Sequence, residues 1–118
     1  MQYLLLIYAN ENTMDDMPPE QRGAMFAEYK TFTEDIVKTG AFKGGDALQP
    51  VANATSVQVR DGKTITTDGP FAETKEQLGG YYLVDAANLD EAIATAARIP
   101  TAKYGTIEVR PILVIEGM

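Results

Sequence analysis

The residues best equipped for chemistry fall in one run. It reads Asp68-Gly69-Pro70-Phe71, then Glu73, Lys75 and Glu76, then Gly79-Gly80-Tyr81-Tyr82. An aspartate opening a turn can accept hydrogen bonds from the backbone N–H groups that follow it. Pro70 fixes its own φ and restricts Gly69 to conformations that glycine tolerates. The spelling therefore predicts a rigid turn, with Phe71 plugged into the core. The same rigidity would hold the Asp68 carboxylate at the mouth of a pocket, since a stiff loop on a scaffold is where sites tend to sit. Glu73 follows closely. A carboxylate near a lysine becomes an acid/base pair when partly buried, because burial and an opposite charge move the two pKa values in useful directions. Asp68 and Glu73 are thus the candidate catalytic residues, against the plainer reading of a structural turn. Lys75 and Glu76 read as a solvated loop ahead of a strand.

Further candidates would contact a ligand rather than transform it. Tyr29 lies on the apolar stripe of a helix, where core packing is the simpler role. Asp46 follows Gly44-Gly45 and reads as a turn residue or a pocket carboxylate. Tyr82 lies on a central strand, and its hydroxyl needs a partner if buried, either a ligand or a backbone carbonyl. Glu108 and Arg110 are two apart on a strand and share a face. A rim salt bridge, a dimer contact or an anchor for a substrate carboxylate would all use that pair. With Phe71, the candidate ligand contacts are Tyr29, Asp46, Phe71, Tyr82 and Arg110.

Composition removes whole classes of chemistry. There is no cysteine and no histidine. Disulfides, thiolate nucleophiles, the commonest metal ligand and the usual general base near neutral pH are all absent. The formal net charge is −7 and the ten Lys and Arg are scattered, which argues against binding nucleic acid or an anionic membrane. No phosphate-cradling loop, dinucleotide fingerprint, nucleophile elbow or zinc spacing is present. No cofactor and no metal are expected. The apolar run Tyr3–Ala9 is too short to span a bilayer and has no signal-peptide flanks. The expectation is a cytoplasmic protein.

The elements that must position these groups are legible in outline. Tyr3–Tyr8 reads as a strand apolar on both faces. Asn10–Asp16 reads as a polar loop. Pro18 and Pro19 suit a helix start; Met25, Tyr29, Phe32 and Ile36 then recur at helical spacing, with Phe26 and Val37 widening the stripe and Gly40 as the stop. Ala41–Asn53 reads as a loop. Thr55–Arg60 and Lys63–Thr67 flank Asp61-Gly62, a strong hairpin signal. Leu78–Ala86 is a strand. Asn88 and Glu91 form a capping pair for a second helix, which Pro100 ends. Thr106–Ile115 is the last strand, with Pro111 marking an edge or a bulge.

These elements make one domain over residues 1–118. The fold class is α+β, a ferredoxin-like split βαβ with an extra β-hairpin. Two helices cover only one face of a four-stranded sheet, yet both Tyr3-Leu5-Ile7 and Leu4-Leu6-Tyr8 are apolar sets. A second copy related by a two-fold axis is the simplest cover for the other face. The expectation is a homodimer with sheets back to back.

The spelling DGPF-AETKEQLGG, between an opening YLLLIY strand and a closing EVRPI strand, resembles the YCII-related proteins in their DGPF-domain branch. The resemblance spans nearly the whole chain and implies a dimeric α+β barrel. Some members of that family resemble small cofactor-free enzymes built on a His-Asp pair. This chain has no histidine, so any acid/base work would fall to carboxylates, Lys or Tyr. Genes of DGPF relatives are often found beside those of extracytoplasmic-function sigma factors, which implies a role in transcriptional regulation. The acidic charge favours protein or small-molecule contact over DNA contact. The readings are, in order: a dimer holding a small aromatic or carboxylated molecule between helix and sheet; a cofactor-free lyase or isomerase using Asp68 or Glu73 as base; and a protein-interaction partner, for example of a sigma factor.

Overall fold

A computed structural model describes residues 1–118. Strand β1 (Gln2–Ala9) is followed by a short helix α1 (Glu11–Asp15) and a long helix α2 (Pro19–Lys38). Strands β2 (Phe42–Ala47), β3 (Thr55–Arg60), β4 (Lys63–Asp68) and β5 (Gln77–Asp85) come next. Helix α3 (Leu89–Ala97) and strand β6 (Thr106–Pro111) complete the chain. Four strands form one antiparallel sheet in the order β2-β5-β1-β6, while β3 and β4 pair only with each other. With the β3–β4 ribbon and α1 set aside, the order is β-α-β-β-α-β, the ferredoxin-like split βαβ.

The central strand explains the layering. Along β1, Tyr3, Leu5 and Ile7 are buried and Leu4, Leu6 and Tyr8 are half-buried, the alternation of a strand with one face under helices. Leu5 lies opposite Tyr82 of β5 and Val109 of β6. With Val84 and Ile99 it forms the fully enclosed centre of the core. Helix α2 contributes Met25, Phe32 and Ile36 to the interior. Helix α3 contributes Ala92 and Ala96, whose small side chains let it lie close to the sheet. Its first turn is capped as expected: the Asn88 side chain accepts from the Glu91 N–H at 2.9 Å. The hairpin turn is also as expected, with φ of 52° at Asp61 and 74° at Gly62. Pro111 lies on an edge strand, where a missing N–H removes no ladder bond.

Several expectations are corrected. Phe42–Ala47 is a strand, not loop. Its glycines make it a poor strand former in isolation, and it is held by pairing with β5. Gly45 permits that approach, because a Cβ there would lie 2.8 Å from the Tyr81 carbonyl oxygen and 3.0 Å from the Tyr82 ring. Residues 11–15 are helical, because Asn10 accepts from the Asn12 N–H at 2.9 Å and starts the turn. Strand β6 stops at Pro111, leaving Leu113 and Val114 exposed. Phe26 and Val37 are exposed, so the buried stripe of α2 is narrower than expected. Phe71 does not plug into the core: it is 87% exposed. The reason is the ribbon preceding it, whose residues are almost all exposed because it stands off the main sheet. No core lies beneath the turn that leaves its end.

The chain is correspondingly flat, 48 × 45 × 19 Å, with a radius of gyration of 16.4 Å. A compact chain of this length would have about 13.5 Å. No helix is long and apolar enough to cross a membrane.

Candidate ligand cavity

Helix α2 shares the core cluster with β1 through Phe32 and Ile36, and it leaves space at the corner where β5 meets β2. The strand positions there are Gly79, Gly80, Gly45 and Ala47, which carry little or no side chain. A cavity of about 470 Å³ remains between them and the helices. Its apolar walls include Met14, Met17, Met25, Phe26 and Phe42. Methionine and aromatic side chains adapt to a flat ligand without demanding a polar partner.

Two pairs of hydroxyls punctuate these walls. The Tyr29 hydroxyl is bonded to Thr101 Oγ1, and Thr33 Oγ1 is bonded to the Tyr82 hydroxyl at 2.7 Å. Each pair ties α2 to a distant part of the chain. The Tyr82 ring is further held edge-on against Phe32, with centroids 5.2 Å apart, and against Phe42 at 6.3 Å. Burial pushes the Tyr29 pKa above the ordinary tyrosine value, with the Thr101 bond opposing it, so Tyr29 keeps its proton through the neutral range.

The cavity also has an acidic member. Glu11, half-buried, accepts from the Val51 N–H at 2.9 Å, while its own N–H donates to Gln77 Oε1 at 3.0 Å. Asp46 borders the cavity, but its register opposite Tyr81 puts its exposed carboxylate on the sheet face away from the helices, where it accepts from the Tyr81 hydroxyl at 2.6 Å. That bond to a carboxylate raises the Tyr81 pKa.

Of the residues singled out in the sequence, Tyr29 and Tyr82 line this cavity together, while Asp46 borders it with its carboxylate turned to the other sheet face. The others lie elsewhere. Asp68 ends β4 in an exposed position, and Glu73 is exposed in the loop that follows. That turn is held by its backbone: the Gly69 N–H donates to the Ala54 carbonyl at 2.7 Å, and Ser56 Oγ donates to the Gly69 carbonyl at 2.9 Å. Gly69 has φ of 99°, the left-handed region in which glycine is favoured. Arg110 is opposite Leu4 on the sheet face away from the helices and is paired with Glu108. Sequence reasoning missed Glu11, Thr33 and Thr101. Thr33 was within reach, being one helical turn from Tyr29. Glu11 and Thr101 carry no local signal.

A ferredoxin-like α+β layer with a cavity at one sheet corner defines the class of protein. The YCII-related domain matches residues 1–116, and the chain belongs to that family. It is 36% identical over 114 residues to an uncharacterised protein of Rhizobium meliloti (strain 1021), an alignment covering 95% of this chain and 92% of the relative. Among solved structures it resembles the 5-chloro-2-hydroxyhydroquinone dehydrochlorinase of Burkholderia phenoliruptrix, determined in complex with 2,5-dihydroxybenzoquinone. The TM-score is 0.55 at 13% sequence identity, with 96% of this chain and 94% of that one covered. At that identity the likeness is one of fold.

Proposed function

We propose that this protein, a member of the DGPF branch of its family, is a homodimer that binds a small ring-bearing molecule in the cavity between α2 and the β5–β2 corner. The observation that carries this reading is the cavity itself. Its volume of about 470 Å³ falls in the range of small-molecule sites, and it combines apolar walls with a few convergent hydroxyls, the usual composition of such sites. The structural neighbour's complex with a quinone supports the same reading by analogy of fold. The second copy is supported by the half-buried Leu4, Leu6 and Leu83 on the face without helices, and by the flatness of the protomer.

Thermal shift and ¹⁵N-HSQC titration with simple phenols test the ligand reading. A ligand at one hundred times its Kd stabilises the folded state by about 2.7 kcal/mol. The amide shifts are expected at Tyr29, Thr33, Tyr82 and Thr101. Shifts confined to residues 68–76 would instead favour a lyase or isomerase reading based on Asp68 or Glu73. No binding by any phenol would remove the cavity reading. Light scattering tests the dimer: the expected mass is twice the 12.8 kDa of one chain, and a monomer at all concentrations would refute it.

A further inference from the structure

The cavity has an electrostatic character that narrows its ligand beyond shape. None of the residues lining it is Lys, Arg or His. The nearest thing to an anion anchor suggested by the sequence, Arg110, is on the other sheet face and already paired with Glu108. Arg98 is paired with Asp35 and Lys103 with Glu28, and Arg22 donates to the Met17 carbonyl at 3.2 Å; none of these three cations is on the lining. One carboxylate, Glu11, belongs to the lining and is oriented by the Val51 N–H. Asp46 borders the cavity, but its register opposite Tyr81 turns its carboxylate to the other sheet face. The hydroxyls of the lining include the Tyr29–Thr101 and Thr33–Tyr82 pairs, beside Thr13 and Tyr104. Each pair uses one proton internally and keeps one donor and spare lone pairs, which suits a ligand hydroxyl that both donates and accepts.

We propose that the site selects by charge, taking uncharged hydroxylated rings and excluding carboxylates. The inference rests on the cavity-binding reading above. An anion entering would lose hydration with no cation on the lining to replace it and would meet the like charge of Glu11. The chain's net charge of −7 adds a repulsive field on approach. A neutral phenol incurs neither cost.

An isosteric pair tests this: 4-hydroxybenzamide, uncharged, and 4-hydroxybenzoate, an anion at pH 7. Binding of each is measured by calorimetry at low salt on the wild type, Glu11→Gln and Asp46→Asn. The wild type is expected to bind the amide at least tenfold more tightly. Glu11→Gln keeps an acceptor for the Val51 N–H, so its fold should survive, and it is expected to narrow the ratio by strengthening benzoate binding. Benzoate binding as tightly as the amide would overturn charge selection while leaving the cavity reading intact. A tenfold ratio unchanged in Glu11→Gln would also overturn it, because the exclusion would not come from that carboxylate; Asp46→Asn, on the other sheet face, is the control and is expected to leave the ratio unchanged. Failure of both compounds to bind would remove the cavity reading and this inference with it.

Discussion

The bond between Thr33 and Tyr82 joins α2 to β5 across the wall of the cavity, and its worth can be worked out. Tyr82→Phe removes only an oxygen. The ring keeps its edge-on contacts with Phe32 and Phe42, so no cavity cost arises. What is lost is one hydroxyl–hydroxyl bond of 2.7 Å, with a net value of about 1 kcal/mol. Thr33 is half-buried, so water can partly satisfy the hydroxyl left behind and the loss stays near that figure. Unfolding entropy near 2.1 cal/mol/K per residue converts 1 kcal/mol to about 4 °C in Tm for this chain length. Thr33→Val should cost a similar amount. The double variant should melt close to either single one, giving a coupling of about 1 kcal/mol. Calorimetric melts of all four proteins at one fixed protein concentration measure this, since association makes Tm concentration-dependent. A double variant melting about 8 °C below wild type, the additive result, would show that the two hydroxyls do not act on each other.

Gly45→Ala is expected to loosen β2 from β5, because a Cβ would stand 2.8 Å from the Tyr81 carbonyl oxygen; faster hydrogen exchange at the β2–β5 amides, with β1–β6 unchanged, checks it. Phe71→Ala should change stability by less than about 0.5 kcal/mol, as for surface sites generally, because that ring is 87% exposed; a large fall in urea midpoint would mean that something covers it. The pH dependence follows from Tyr29, whose pKa is raised in the fold chiefly by burial. A raised pKa contributes stability that is fully present below the unfolded value, near 10, and lost as pH climbs through the folded value. Tm should therefore fall above about pH 10, and Tyr29→Phe should flatten that limb. Tyr81 and Lys103, also raised, act in the same direction and leave the remainder.

Much of the scaffold was readable from the chain because the relevant physics is local. The two apolar sets of β1 alternate with period two. The turn at Asp61-Gly62 needs positive φ, and Asn88 caps a helix by bonding an N–H three residues away. Met25, Phe32 and Ile36 announce the buried stripe of α2 by spacing alone. Each of these rules operates within a turn or two of backbone, so the residue order suffices to state it.

The candidate cavity belongs to the other category. Its hydroxyl pairs join residues 72 and 49 positions apart, and no local rule matches Tyr29 to Thr101 or Thr33 to Tyr82. Strand β2 has neither pattern nor propensity and exists because β5 offers it a ladder that Gly45 can approach. The turn at Asp68–Phe71 is shaped locally by the positive φ of Gly69 and its backbone bonds, yet its distance from the cavity depends on where the β3–β4 ribbon goes. Turn, cap and period are properties of neighbouring residues. Which hydroxyls meet, which glycines leave a void and which face Arg110 occupies are consequences of packing between elements, and those appear only when the chain has folded.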